Sequence, residues 1–317
     1  MTDAAHTRNV IEIRNLRIDY EEVCAVRDLT LDIGRGEIFG LIGANGAGKT
    51  STLKALVGLL EPTWGEVRIC GFDFDRQLTE LRRSVGYMAD FAPVFEDLTV
   101  WEYMAFFAAA HQIPRQRRDA AIRDCLELVE LSAKADARTA SLSRGMRQRL
   151  VLGKTLVHQP QVFLLDEPAS GMDPAARAML KRLLVDLARQ GRTILISSHV
   201  LPDLSEICTS TGIMEMGRLV EQGAVGEVTA RAIPRSRLRV AVAGPTDGAG
   251  AILAADPHVA ELSQGAAGFE CAFSGTDEDA AALLATLVGQ GVAVSAFARD
   301  AGDLDSVFLA VGATEVT

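Results

Sequence analysis

The chain has 317 residues, 48% of them hydrophobic, with 32 basic and 42 acidic side chains for a formal charge of −10. That length predicts one or two domains with enough apolar content for a buried core, and the acidic balance argues against a partner held by bulk positive charge, so no nucleic acid is expected. No window reaches the roughly 18 uncharged apolar residues of a membrane span, residues 1–10 lack the apolar stretch of a secretory signal, and the five cysteines are scattered without a C-x-x-C pair. A chain soluble by itself in a reducing cytosol is expected.

Ile11 and Ile13, then Leu29, Leu31 and Ile33, alternate with polar residues, which predicts antiparallel strands over 11–20 and 29–33. Tyr20, between them, offers a flat π face suited to a purine ring, although a strand-end tyrosine often only packs. The apolar run Ile38 to Ile42 leads into Gly43-Ala44-Asn45-Gly46-Ala47-Gly48-Lys49-Thr50-Ser51, and Leu53, Leu56, Val57 and Leu60 follow at helical spacing. This is G-x-x-x-x-G-K-[ST] between a strand and a helix. Its glycines let several backbone N–H groups point into one concavity, Lys49 adds a point charge, and the Thr50 hydroxyl is placed to ligate magnesium. The positive end of the new helix faces the polyphosphate.

Residues 84–88 have strand character and stop at Ala89-Asp90. Thr99 to Glu102 has capping-box spacing for a helix to about His111, and a second helix after Pro114 puts Ile122, Cys125, Leu126 and Val129 on one face. These helices predict a helical subdomain over about 91–158. Its surplus of Trp101, Tyr103, Met104, Phe106 and Phe107 reads as a core stripe or as a docking surface. Ser143 is an acceptable N-cap for the next helix, and Gly145 permits close approach to its backbone. Val162 to Leu165 form an apolar strand ending in Asp166-Glu167-Pro168; strand alternation turns one carboxylate toward a metal and the other toward a water.

Asp173-Pro174 is N-cap and N1 of a helix with Leu180, Leu183, Leu184 and Leu187 inward. The strand from Thr193 to Ser197 ends in Ser198-His199, at the edge where parallel sheets bind ligands. A hairpin about Gly217-Arg218 closes the unit, and residues 224–235, with Gly226 and Pro234, read as a linker. From 236 to 317 the periods run β-α-β-β-α-β, a split βαβ arrangement, with a closing helix carrying Leu304, Val307, Phe308 and Val311. This last part holds no glycine loop and no cluster of acids with a base, so a regulatory or dimer-supporting role is expected of it.

Taken together, residues 11–223 resemble the ATP-binding cassette family, in particular the ATPase subunit of an ABC-2 type exporter whose membrane subunits are separate chains. The resemblance implies an α/β P-loop NTPase core over 1–223, with an antiparallel β-subdomain and the helical subdomain, followed by a small ferredoxin-like α+β accessory domain. It also implies ATP and Mg2+ as cofactors, with Tyr20 on the adenine, Gly43 to Ser51 on the phosphates, and Asp166 and Thr50 on magnesium. Glu167 resembles the catalytic base, His199 the switch histidine and Lys49 the phosphate lysine. Ser143 and Gly145 occupy the signature segment, and Ser170 to Asp173 the segment that crosses the interface of a head-to-tail dimer. The implied partners are a second copy and ABC-2 type membrane subunits at the cytoplasmic face of the membrane. The rivals are ATPases of the same superfamily acting on nucleic acid, disfavoured because no heptad run separates Lys49 from Ser143, or on ribosomes, which usually fuse two cassettes where this chain has one phosphate loop. Two residues depart from the family pattern. Asp90 stands where glutamine is usual and is a candidate magnesium ligand, and Arg144 stands where the signature usually has glycine.

Overall fold

The computed structural model describes residues 9–21, 23–91, 93–199, 206–232, 236–243, 247–265 and 268–300. They fall into two compact units, one ending at Val225 and one beginning at Gly226.

In the first unit, β1 (Asn9–Tyr20), β2 (Val23–Gly34), β4 (Trp64–Ile69) and β5 (Phe72–Asp73) form an antiparallel sheet in the order β2-β1-β4-β5. Strict alternation holds only as far as Ile13. The register to β2 then shifts, Asn15 adopts φ 49°, and the buried positions become Leu16 and Ile18. The bulge lets one long strand keep its apolar side chains inward through a change of parity.

A second sheet has the order β10-β9-β3-β8-β7-β6. Its members are β3 (Ile38–Ile42), β6 (Val85–Met88), β7 (Val162–Asp166), β8 (Thr193–Ser198), β9 (Ser210–Glu215) and β10 (Arg218–Ala224). β3, β7 and β8 are buried at every position, as expected of central parallel strands covered on both faces. α1 (Lys49–Leu56) shares one core with both sheets: Leu53, Ala55 and Leu56 pack with Ile11, Ile13, Leu29 and Leu31 on one side and Leu164 and Leu195 on the other. This helix ends sooner than the apolar spacing through Leu60 predicts, because Gly58 turns the chain at φ 69°. α6 (Pro174–Arg189) buries Leu180, Leu183, Leu184 and Leu187 and packs on β3 and β8.

α2 (Leu78–Ser84) precedes β6, and the helical part follows it as α3 (Val100–Ala110), α4 (Arg115–Leu128) and α5 (Arg144–Leu156). The Thr99–Glu102 capping box forms with both reciprocal bonds. Tyr103 and Met104 are core residues, whereas Phe106 stays 51% exposed, so the aromatic surplus divides between core and surface. The β9–β10 turn is Met216-Gly217, both at positive φ, one residue earlier than Gly217-Arg218.

Residues 224–235, expected to be a linker, contain the boundary between the two units and carry a helix, Val225–Ala232. Gly226 did not prevent it, since a single glycine costs a helix only about 1 kcal/mol. In the second unit, strands Ser236–Val242, Val259–Gly265, Gly268–Phe273 and Val294–Asp300 alternate with helices Asp247–Ala255 and Asp277–Gly289 in the order β-α-β-β-α-β. The fourth strand lies beside the first and the third beside both the first and the second, all antiparallel, which is the split βαβ sheet. Its core comprises Leu238, Val240, Leu253, Phe269, Phe273, Leu283 and Leu287. The closing helix expected around Leu304 to Val311 lies outside the described residues.

Candidate active site

β3, β7 and β8 end at the same edge of the parallel sheet, and register aligns their last residues: Leu41 pairs with Ser197, and Ser197 with Asp166. The loop after β3, the acids ending β7 and the histidine after β8 are brought to one edge by backbone pairing alone.

The loop after β3 folds tightly. A Cβ on Gly43 would sit 2.3 Å from the Met214 carbonyl oxygen, and one on Gly48, at φ 104°, would sit 2.4 Å from that of Ala25. Gly46, at φ 86°, has nothing within 4 Å of its Cβ position and faces open space. Two glycines therefore let the loop pack and the third keeps its mouth clear. Lys49 is 6% exposed and its Nζ donates to the carbonyl oxygens of Gly43 (2.6 Å) and Ala44 (3.1 Å). Burial pulls its pKa down, opposed by the charges of Glu167 and Asp166. The ammonium is thereby held inside the curve of the loop by two of its carbonyl oxygens.

Asp166 is 1% exposed. Its Oδ1 accepts from Ser197 Oγ at 2.6 Å and Thr50 Oγ1 at 3.2 Å, whereas the buried Oδ2 has no partner. A carboxylate oxygen without a donor in such a place is costly. Beside a threonine hydroxyl at the mouth of a phosphate loop, that oxygen suits magnesium, a hard cation that takes one or two protein oxygens and completes its shell with water and phosphate. No group of three or more acidic, histidine or cysteine side chains suited to a metal exists among the described residues, so phosphate would have to supply part of the shell.

Glu167 leaves the strand at φ 47°, and its N–H donates to the Ser197 carbonyl and hydroxyl oxygens, each at 3.2 Å. A left-handed turn, more than strand alternation, separates the two carboxylates. A non-glycine residue held there is strained, and such strain concentrates at working sites. Glu167 Oε1 lies 2.8 Å from Nδ1 of His199, whose side chain is half exposed. Tyr20, 41% exposed at the end of β1, donates its hydroxyl to Ser51 Oγ at 3.3 Å, which sets the ring beside the phosphate-loop helix.

Lys49, Thr50, Ser51, Asp166, Glu167, His199 and Tyr20 thus converge. Ser143 and Asp173 stand elsewhere, each exposed and capping its helix: Ser143 Oγ accepts from Met146 N (3.3 Å) and Asp173 Oδ1 from Ala176 N (2.8 Å). Gly145 faces the Gly171 carbonyl. Asp90 is exposed and makes no hydrogen bond or ion pair among the described residues. Ser197 was not singled out from the sequence. The signal was its position two residues before His199 at a strand end, which becomes informative only once the register with Asp166 is known.

The model of a family described as ABC transporter matches residues 26–170. Over 214 residues the chain is 37% identical to Nod factor export ATP-binding protein I of Burkholderia orbicola (strain AU 1054), covering 68% of this chain and 70% of that protein. It is 36% identical to the protein of the same name from Paraburkholderia xenovorans (strain LB400) over 223 residues, 70% of this chain and 73% of that one. Among solved structures, an ATP-binding subunit of an ABC transporter superposes with a TM-score of 0.65 at 28% identity, covering 70% of this chain and 92% of that chain. CbiO1 from Clostridium perfringens, described as part of the ABC transporter complex cbiONQ, superposes at 0.64 with 26% identity, covering 70% of this chain and 91% of its own. With the phosphate loop, the acid pair and the histidine at one sheet edge, these likenesses fix the assignment: the chain belongs to the ABC transporter family, as an ATP-binding subunit with ATPase activity.

Proposed function

We propose that this chain is the ATPase of an ABC-2 type exporter, working as a head-to-tail pair of copies with separate membrane subunits at the cytoplasmic face of the membrane. The observation that carries this reading is the split of the predicted site. One set of residues converges around the phosphate loop, and a second set, the exposed Ser143 and Asp173 with the half-buried Gly145, lies at two helix N-termini without a bond to that loop. A helix N-terminus with free N–H groups is a phosphate-binding element, and a second copy is the source of a triphosphate for it.

Chemically, the arrangement suits in-line attack of water on the γ-phosphoryl group, which asks for positioning and charge stabilisation more than covalent chemistry. The loop N–H groups and Lys49 hold the phosphates, and Tyr20 stacks on adenine. Thr50 and Asp166 would hold magnesium, which when bound neutralises charge on the β- and γ-phosphates. Glu167 orients the water and takes its proton as the new P–O bond forms and the β–γ anhydride bond breaks. His199, in contact with Glu167, fixes that carboxylate and faces the transferred group. Asp90, after β6, is followed by the exposed Phe91 (86%), and Phe95 (49%) makes a ring contact with Phe106; exposed aromatic side chains of this kind suit a membrane subunit.

Purified Glu167→Gln protein should lose ATP turnover and accumulate as an ATP-bound dimer in light scattering. Retained turnover, or a monomer at saturating ATP, would sink the reading. Co-purification with a protein of about six apolar spans tests the membrane partner.

A further inference from the structure

The first turn of α5 grips the loop that follows Glu167. Arg144 and Gln148, four residues apart, lie on one face of the helix. The Arg144 guanidinium lies across Gly171: a Cβ there would meet Nε at 2.4 Å and Cζ at 2.9 Å, and Nη2 donates to Ser170 Oγ at 3.4 Å. Between the two side chains, Gly145 brings the helix backbone against the loop, its Cβ position 3.6 Å from the Gly171 carbonyl oxygen. Gln148 Nε2 donates to the Pro168 carbonyl oxygen at 3.3 Å. The loop itself turns through Gly171 at φ 71° and buries Met172 to 4%.

From this geometry we propose that Arg144 is a positioning residue that, with Gln148, clamps the Pro168–Met172 loop to the serine-capped start of α5 within one chain. The helix end that carries Ser143 and the loop that continues from Glu167 then move as one piece. The inference rests on the head-to-tail reading for its consequence. A nucleotide of the second copy that seats against Ser143 pulls, through Arg144 and Pro168, on the catalytic glutamate of the first copy's own site. The arginine is exposed, yet its guanidinium lies over Gly171 and bonds Ser170, with no bond to the chain's own phosphate loop. Its planar guanidinium covers a glycine that leaves room for it, a geometry lysine's point charge does not reproduce.

Three variants test this. Arg144→Ala keeps a strong helix former at the first helical position, so loss of the helix itself is not at issue. In nucleotide-free protein, amide exchange of residues 169–172 should speed up at least fivefold in Arg144→Ala and in Gln148→Ala, while exchange in β7 and α6 is unchanged. Arg144→Lys should recover only part of the protection. In the ATPase assay Arg144→Ala should lower kcat about tenfold and leave KM for ATP within twofold. Unchanged exchange of the loop would overturn the clamp. A raised KM with kcat intact would also overturn it, by assigning the guanidinium to nucleotide binding across the dimer. Both results leave the head-to-tail reading standing if Glu167→Gln still dimerises with ATP, and a Glu167→Gln protein that stays monomeric rejects that reading while leaving the exchange result intact.

Discussion

Nδ1 of His199 lies 2.8 Å from Oε1 of Glu167, so the histidine that follows β8 and the acid that follows β7 form one unit. Glu167 is held at positive φ by two hydrogen bonds from its N–H to Ser197, on the strand that also delivers His199. Because the two side chains act through one contact, their deletions should be non-additive. His199→Ala is expected to lower kcat by about 10²-fold and Glu167→Gln by about 10³-fold. The double variant should be no slower than Glu167→Gln. Multiplicative losses in steady-state ATPase assays would show that the two residues work independently.

Asp166 separates the needs of the fold from those of the chemistry. Its Oδ2 is buried and unpartnered, while Oδ1 accepts from Ser197 and Thr50. Replacing a buried charge by a neutral isostere removes a desolvation cost, so Asp166→Asn should leave nucleotide-free stability unchanged or raise it by about 1 kcal/mol. The same change should cut turnover by at least about 10²-fold, since an amide is a poor ligand for a hard cation. Urea melts without nucleotide, paired with ATPase rates across magnesium concentrations, check both halves. A strongly destabilised variant would mean the carboxylate holds the fold and not the metal.

The glycines of the phosphate loop should divide likewise. Gly43→Ala drives a Cβ to 2.3 Å from a backbone oxygen, which no side-chain shift relieves, and should cost about 2 kcal/mol or more. Gly46→Ala meets nothing within 4 Å and pays only for φ 86°, about 1 kcal/mol. Its methyl group instead stands in the mouth of the loop. Thermal melts should rank Gly43→Ala as the less stable protein, whereas nucleotide titration should show a larger loss of affinity per unit of stability in Gly46→Ala.

Much of this was legible because the decisive signals are local. The phosphate loop, the Thr99, Ser143 and Asp173 caps, and the strand ending in Asp166-Glu167 each follow from a few adjacent residues and their backbone needs. What sequence did not disclose depends on contacts distant along the chain. Ser197 matters because β8 pairs with β7, and Arg144 finds Gly171 only after both loops fold. The helix Val225–Ala232, within the stretch expected to link the two parts, is not signalled by Gly226, whose penalty is small against the order of a whole turn. The parity change at Asn15 escaped for the same reason: a bulge is set by the partner strand.

Acid should weaken the fold through a site remote from catalysis. The His158 ring stacks on His111 at 3.7 Å, with 3° between planes, and joins the end of α3 to the residues after α5. His158 Nε2 donates to the Val85 carbonyl oxygen at 3.0 Å, while its buried Nδ1 has no partner. Burial, then the neighbouring His111 and, further down, Lys154, push His158 down to about 4 in spite of the bond to Val85, and burial with Lys154 lowers His111 as well. Lys154, itself half-buried with its pKa lowered by desolvation, sits 5.0 Å over the Phe107 ring. A histidine whose folded pKa lies below its unfolded value of about 6.5 binds more protons when unfolded, so stability falls as pH drops below 6.5 and levels off below 4. For His158 alone the loss is about 3 kcal/mol by pH 4. His158→Gln, which keeps a donor for the Val85 carbonyl and cannot titrate, should flatten the urea-derived stability profile between pH 6.5 and pH 4 relative to the parent chain. Parallel profiles for the two proteins would show that the stacked pair carries no part of the acid sensitivity.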